Sequence, residues 1–208
     1  MRQYSEIEGE QIVRAARAAI ELFLRSPKLD RRLLMESLRD LGTVNGVFVT
    51  VLHYPTRTLR GRMGIYGTNG HIGVQVVMAA VAAAFEDQKF VPVSLRENEH
   101  IIVEVDILSE FEEIRSSGKG KLIKVKLGRD GLYIKYGFKS AVLLPSFPEE
   151  NRLDKTGFFE AACRAVGIQK DLWMQPRVKL SRFQTQCFGE VEPDGRVKEI
   201  KQRQSKGI

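Results

Sequence analysis

The chain has 208 residues, of which 43% are apolar and 28% charged, and its formal net charge is +7 at neutral pH. This length and composition are typical of a globular protein that needs no disulfide framework, and its two cysteines, which form no CxxC pair, indicate free thiols. The sequence shows no apolar run long enough to span a membrane and no secretion signal at its N-terminus. We therefore expect a cytoplasmic protein without a membrane partner.

Much of the positive charge lies at the C-terminus. Residues 194–208 carry five basic and two acidic side chains, which gives +3 of the net +7. We interpret residues 1–200 as one domain with two lobes and residues 201–208 as a flexible basic tail. Because basic tails also bind phosphate backbones, RNA or DNA is an alternative partner.

The first half of the chain alternates between predicted helices and strands. The segment Ser5–Glu8 has the pattern of a capping box, and the apolar residues after it recur at helical spacing, which predicts a helix ending near Pro27. The other elements predicted here are a short helix over 30–41, a buried strand over 44–53, a loop over 57–64, a buried helix over 71–87 and a strand over 101–108.

The second half repeats the strand–helix–strand order. The predicted elements are a hairpin with strands 121–127 and 132–136 around a turn at 128–131, a strand over 141–144, a helix over 155–166, a strand over 178–191 and a final strand after a turn at 193–195. Hairpins combined with strand–helix–strand units favour an α+β fold with largely antiparallel sheets, built as two repeated lobes.

The clearest site signal is the motif Leu59-Arg60-Gly61-Arg62-Met63-Gly64. The sequence contains no Asp or Glu between Leu41 and Phe85, yet arginines stand at positions 57, 60 and 62. The glycines beside Arg62 allow a tight turn and a close approach to a ligand. Guanidinium groups without a local carboxylate predict an anion-binding loop.

The motif is part of a longer pattern. It is preceded by Gly46–Thr50 and followed by Asp87–Val93, and together these segments resemble the AMMECR family, named for a chromosomal region linked to Alport syndrome, midface hypoplasia and elliptocytosis. The likeness extends over nearly the whole chain. Further matching segments are, in order, Val103–Val105, Ile107–Ser109, Gly128–Leu132, Leu143–Pro145, Trp173 and Phe183–Gln186.

This resemblance implies two unequal lobes, with the motif lining a cleft between them. It implies no settled activity, but family members are often encoded beside, or fused to, Memo-like and radical-SAM proteins, which are therefore the suggested partners in a modification pathway. The family motif usually reads Leu-Arg-Gly-Cys-Ile-Gly, and this chain has Arg62 at the cysteine position. Because arginine serves neither as nucleophile nor as metal ligand, we interpret the geometry of the motif as its important property.

Several residues outside the motif are candidates for the same site. Asp87 and Lys89 either form a charge pair at a helix end or bind the ligand, with Asp87 orienting Arg60. Glu104 lies among apolar residues, so an inward-facing carboxylate there needs a cationic partner. The predicted ligand-binding residues are Arg60, Gly61, Arg62, Gly64, Asp87, Lys89 and Glu104.

Metal and cofactor sites are not expected. His53 and His71 bracket the predicted loop, and the sequence leaves open whether they meet across it. Because they lack the spacing of metal ligands, we interpret them as structural. The sequence contains no P-loop, no GxSxG, no HExxH and no Rossmann fingerprint.

The sequence thus leads to three hypotheses of different classes. The first is a cleft that binds a small anionic ligand or modified group, as an enzyme or as the accessory subunit of a modifying enzyme. The second is RNA or DNA binding through the basic loop and tail. The third is a non-catalytic adaptor that binds a protein partner at the edge of the cleft.

Overall fold

The computed structural model describes residues 2–28 and 30–201, so the predicted basic tail lies outside the described residues except for Lys201. The chain divides into two compact units. Residues 2–108 together with 186–201 form the first unit, and residues 109–185 form the second. The second unit is therefore inserted, in sequence, between two parts of the first.

The helices and strands follow one another in mixed order. They are α1 (Glu6–Arg25), α2 (Arg32–Glu36), β1 (Thr43–His53), β2 (Leu59–His71), α3 (Ile72–Phe85), β3 (Ile101–Leu108), β4 (Glu112–Glu113), α4 (Gly120–Ile123), β5 (Gly131–Tyr136), β6 (Lys139–Leu143), α5 (Phe147–Glu150), α6 (Lys155–Ala165), β7 (Lys179–Phe183), β8 (Thr185–Glu190) and β9 (Val197–Glu199). None of the described helices is both long and apolar enough to cross a membrane.

Two sheets confirm the predicted α+β class. One has five strands in the order β2-β1-β3-β8-β9, and the other has four in the order β4-β7-β5-β6. The pairs β1–β2, β1–β3 and β8–β9 are antiparallel, as are β4–β7, β5–β6 and β5–β7. Strand β2 therefore lies at one edge of the larger sheet.

Both units share one chain path. In the first, the hairpin β1–β2 is followed by α3 and then by β3, which pairs with β1. In the second, the hairpin β5–β6 is followed by the short α5, by α6 and then by β7, which pairs with β5. The predicted repetition is thus a hairpin, a helix and a third strand beside the first.

The core of the first unit lies between its helices and one sheet face. Helix α1 begins with the predicted capping box, in which the Ser5 hydroxyl accepts from the Glu8 amide and Glu8 accepts from the Ser5 amide. Its apolar stripe and most of α3 are fully buried against alternate residues of β1 and β3, such as Val49 and Val105. Helix α3 is apolar nearly all round, as its sequence predicts. This packing fixes β2 beside α3.

The structure corrects three predicted elements. The helix over 30–41 is the short α2, followed by a separate turn of 3-10 helix at Arg39–Leu41. The predicted hairpin of strands 121–127 and 132–136 is also wrong, because α4 occupies the start of its first strand. The hairpin turn is not at 128–131; it lies between β5 and β6, where Gly137 has a φ of 59°. Asp130 instead accepts a hydrogen bond from the Lys126 amide and forms an ion pair with Arg129, so that residues 128–130 form a local turn before β5. The strand over 178–191 is interrupted at Gln184.

Candidate functional site

The motif Leu59–Gly64 lies within strand β2, so the predicted loop is wrong. It pairs antiparallel with β1, from Leu52 opposite Leu59 to Phe48 opposite Gly64. Positions 61, 63 and 65 face the helices, and positions 62 and 64 face the other side of the sheet, as alternation in a strand requires. Arg60 is the extra residue of a β-bulge, because Leu59 and Gly61 pair with the consecutive residues Leu52 and Val51. The site is therefore built on a rigid strand.

The two motif glycines permit close packing rather than a turn. A β-carbon at Gly61 would lie 2.0 Å from the carbonyl oxygen of Ala83 in α3. A β-carbon at Gly64 would lie 2.5 Å from the ring of Phe48, its partner on β1. Since any side chain at either position would overlap these neighbours, the glycines let a helix backbone and an aromatic ring rest directly on β2.

Arg60 is bound within the fold. Its side chain is 6% exposed, and it donates from Nε and Nη2 to the Glu97 carboxylate at 2.9 and 3.3 Å. The guanidinium also lies 5.9 Å from the centre of the Phe90 ring. Its hydrogen bonds, with those from Ser94, lower the pKa of Glu97 from its usual 4.5 to about 2. Glu97, rather than the predicted Asp87, therefore orients Arg60.

Asp87 fastens the end of α3 to the outer edge of β2. One of its carboxylate oxygens accepts from the Arg62 backbone N–H at 3.0 Å, and the other accepts from the Lys89 N–H at 3.0 Å. Lys89 itself is exposed. The structure thus brings these three residues together through the Asp87 carboxylate and the backbone N–H groups of Arg62 and Lys89, and not as a cluster of converging charges.

The face of the sheet opposite the helices carries the remaining charged candidates. The Arg62 side chain donates from Nε to the Thr50 hydroxyl at 3.0 Å, and Arg57 forms an ion pair with Glu104. Arg57 is therefore the cationic partner that Glu104 was expected to need. Cys187 lies on the same face, where burial and the nearby carboxylates raise the pKa of its thiol. Ligand binding by these residues stays a prediction.

The two histidines lie at opposite ends of β1 and do not meet. His71 faces Thr43 at the first end, whereas His53 closes the other end, about 30 Å away at 3.3 Å per residue. The His71 ring caps α3 by accepting from the Gly73 amide at 3.1 Å. The open question of whether they meet across a loop is thus answered, because the residues between them form a hairpin of two strands.

A cavity of about 510 Å³ lies beside the motif, wholly within the first unit. We call it the methionine groove, because three of the five methionines of the chain line it. Its lining comes from the segment before α2, from α2, from β2 and from α3. Its walls include Met35, Met63, Gly64, Ile65, Val77 and Met78, and its charged lining residues include Asp30, Arg31, Arg32 and Glu86.

Arg31 is the cation of this groove that has no carboxylate partner among the described residues. Its guanidinium lies 5.2 Å from the centre of the Phe23 ring and donates to the Pro27 carbonyl at 3.0 Å. Its Nε is buried and has no hydrogen-bond partner in the described part of the chain. The neighbouring Arg32, in contrast, is paired with Asp30 at 2.7 Å. The sequence alone does not single out Arg31 as a site residue, because Asp30 could pair with either neighbouring arginine and only the structure shows that it pairs with Arg32.

Comparison with known proteins agrees with this architecture. The AMMECR1 family model matches residues 13–188. Protein MJ0810 of Methanocaldococcus jannaschii is 39% identical over 203 residues, covering 97% of this chain and 99% of that protein. Protein Ta0236 of Thermoplasma acidophilum is 35% identical over 189 residues, covering 91% and 90%.

A solved structure shows the same fold. The crystal structure of the uncharacterised protein PH0010 from Pyrococcus horikoshii matches with a TM-score of 0.87 at 33% identity, covering 95% of this chain and 98% of that chain. The resemblance read from the motif and its flanking segments is thereby confirmed: the chain belongs to the AMMECR1 family.

Proposed function

We propose that this protein binds a ligand in the methionine groove, and that the ligand combines an apolar body with a negatively charged group. The observation that carries the proposal is a cavity of about 510 Å³ with a largely apolar lining and one arginine, Arg31, that has no carboxylate partner within residues 2–28 and 30–201. Apolar pockets with a few polar groups are the usual form of small-ligand sites. Burial of the apolar body supplies affinity, and the guanidinium selects the charge.

In this proposal the motif mainly shapes the walls of the groove, and only part of it contacts the ligand. Met63 and Gly64 line the cavity, whereas Arg60 is committed to Glu97. Gly61 sets the distance between β2 and α3, which form two of the walls. We therefore assign the anionic group to Arg31, where the sequence had suggested Arg60 and Arg62.

Nucleic-acid binding receives less support. Arg57 and Arg60 are paired with Glu104 and Glu97, so their charge is already compensated. A phosphate backbone is attracted by uncompensated cations along an exposed face. A link to Memo-like or radical-SAM proteins stays a suggestion of the family resemblance, for which the groove offers one place of contact.

Two fluorescent probes with the same rings test the proposal. Anilinonaphthalene sulfonate carries a negative charge, and phenylnaphthylamine is its neutral counterpart. We expect both to bind the protein with a gain in fluorescence, and we expect Arg31→Met to weaken the sulfonate about tenfold, or about 1.4 kcal/mol, while leaving the neutral probe unchanged. Arg25→Met, which removes an exposed charge from the end of α1, is the control for net charge.

A second variant tests the location. Met78 lines the groove and is 53% exposed, so Met78→Glu places a carboxylate there without disturbing the core. We expect it to weaken both probes. Ile7→Glu makes the same kind of change on α1, at a residue that is 73% exposed, and should affect neither probe. Equal binding by all four variants, or no binding by the wild type, would contradict the proposal.

A further inference from the structure

We infer that the occupant of the methionine groove is an extended peptide segment of a partner protein, which adds to the free edge of β2 as a further strand and places an acidic group near Arg31. This inference rests on the proposed function of the groove and names the class of its ligand. Strand addition combines main-chain hydrogen bonds with pockets for alternate side chains.

Strand β2 lies at the edge of its sheet, and among the strands that the structure describes it pairs with β1 alone. The Arg62 N–H bonds to Asp87 and not to β1, so Arg62 directs its backbone groups to the outer edge. Because these groups alternate between the two edges of a strand, Gly64 also directs its N–H and C=O outward. Gly64 is at the same time a wall of the groove.

The part of this edge that is open to a new strand is short. Asp87 covers the edge at Arg62, and the pairing of β2 with β1 becomes irregular between Tyr66 and Gly70. Regular open edge is thus confined to a few residues around Gly64. A short linear segment fits this window, whereas a second copy of a whole strand does not. Covering an edge and interrupting its regular pairing are two ways in which natural sheets limit the addition of further strands.

The groove accommodates side chains of an added strand. Alternate side chains of a strand beside β2 point toward the groove, where they contact Met35, Met63 and Met78. Methionine is flexible and polarisable, and it is favoured at surfaces that accept varied apolar side chains. Arg31 supplies charge complementarity for an Asp, a Glu or a terminal carboxylate of the segment. The peptide thus has a stated chemistry: an apolar side chain and an acidic group on an extended backbone.

A library of random dodecapeptides displayed on phage provides the probe. Selection on the wild-type protein, with counter-selection on Met78→Glu, should enrich peptides that carry an apolar and an acidic residue at a fixed spacing. A synthetic copy of an enriched peptide should displace anilinonaphthalene sulfonate and bind Arg31→Met about tenfold more weakly. No enrichment, or equal binding to Met78→Glu, would overturn the inference.

Amide hydrogen exchange shows whether the peptide adds as a strand. The Gly64 amide should exchange at least tenfold more slowly when the peptide is bound, whereas the Met63 amide, which faces β1, should not change. Peptide binding without protection at Gly64 overturns strand addition. Protection that rises with protein concentration alone identifies a second copy as the occupant and also overturns it. If the sulfonate probe binds but no peptide does, the proposed function stands and only this inference fails.

Discussion

Gly61 lies directly against the backbone of Ala83: a β-carbon at Gly61 would come within 2.0 Å of the Ala83 carbonyl oxygen. The contact joins the edge strand of the sheet to the buried helix α3. Because the obstructing atom belongs to a helix backbone, it does not move aside as the tip of a flexible side chain does. The spacing of two walls of the methionine groove therefore depends on a missing side chain.

Gly61→Ala should destabilise the protein by about 2–3 kcal/mol, since an added methyl group forces α3 away from β2. Urea denaturation measures the loss. Gly157→Ala serves as the control, because there the nearest obstructing atom is the Asp154 side chain at 3.2 Å, and we expect a change within about 0.5 kcal/mol. Equal effects at the two positions would show that backbone contact is not the cause.

The Arg60–Glu97 pair should make stability depend on acid. The pKa of Glu97 is about 2 in the folded protein and near 4.5 when unfolded, so the unfolded chain binds the extra proton between these values. The pair therefore contributes fully above about pH 5 and progressively less as the pH falls toward 2. We expect about 1–2 kcal/mol, after allowance for the partly exposed carboxylate.

Denaturation of Glu97→Gln across this pH range tests the pair. The stability difference from wild type should shrink as the pH falls from 5 to 3. Glu99→Gln, which neutralises an exposed carboxylate nearby, should give a small and nearly constant difference. A constant difference for Glu97→Gln would contradict the assignment.

Two ion pairs of α1 should differ sharply in their effect on stability. Arg17 and Glu190 form a buried pair, with side chains 3% and 0% exposed, and Arg17 also donates to the Ile101 carbonyl at 2.7 Å. Glu190→Gln should cost about 3–5 kcal/mol, because the Arg17 charge is then buried without a counter-charge. Arg14→Met breaks the exposed pair with Asp194 and should cost less than about 1 kcal/mol.

The double variant Arg17→Met with Glu190→Leu completes this test. Because it removes both buried charges, it should be more stable than Glu190→Gln. Thermal unfolding of all four proteins gives the comparison. A double variant that is less stable than Glu190→Gln would show that packing, and not the stranded charge, dominates at this position.

Asp87→Ala should destabilise the protein by about 1–3 kcal/mol, because the backbone N–H groups of Arg62 and Lys89 lose their acceptor. Hydrogen exchange supplies a local measurement: the Arg62 amide should exchange faster, and the amides within the β1–β2 ladder should not. Asp87→Asn keeps one acceptor oxygen and should lose less. Unchanged exchange at Arg62 would exclude this role for Asp87.

Sequence patterns predicted helices and strands correctly where local signals and tertiary packing agree. Ser5 and Glu8 form the predicted capping box of α1, and the alternating segment Ile101–Leu108 is a strand with the predicted bounds. The loop prediction for residues 59–64 failed because glycine permits both turns and close packing. The apolar residues Leu59, Met63 and Ile65 all fall on odd positions and the two arginines of the motif on even ones, and this alternation was a signal for a strand that the loop prediction missed.

The candidate site depends on distant contacts that a single sequence does not specify. Arg60 stands in an acid-free window, yet its carboxylate partner, Glu97, lies 37 residues further along the chain. Arg57 likewise meets Glu104, 47 residues away. Absence of a nearby acid therefore did not mean an unpaired cation. The methionine groove escaped prediction because α2, β2 and α3 each contribute only part of its lining.

The insertion of the second unit has a consequence for biosynthesis. Arg17 leaves the ribosome early, whereas its partner Glu190 is translated 173 residues later, after the entire second unit. Phe188, which packs against α1 at Gly9, arrives equally late. Until those codons are read, the nascent N-terminal half lacks two strands of its sheet and the counter-ion of a residue it must bury. A polypeptide that ends before β8 therefore lacks part of the core of the first unit.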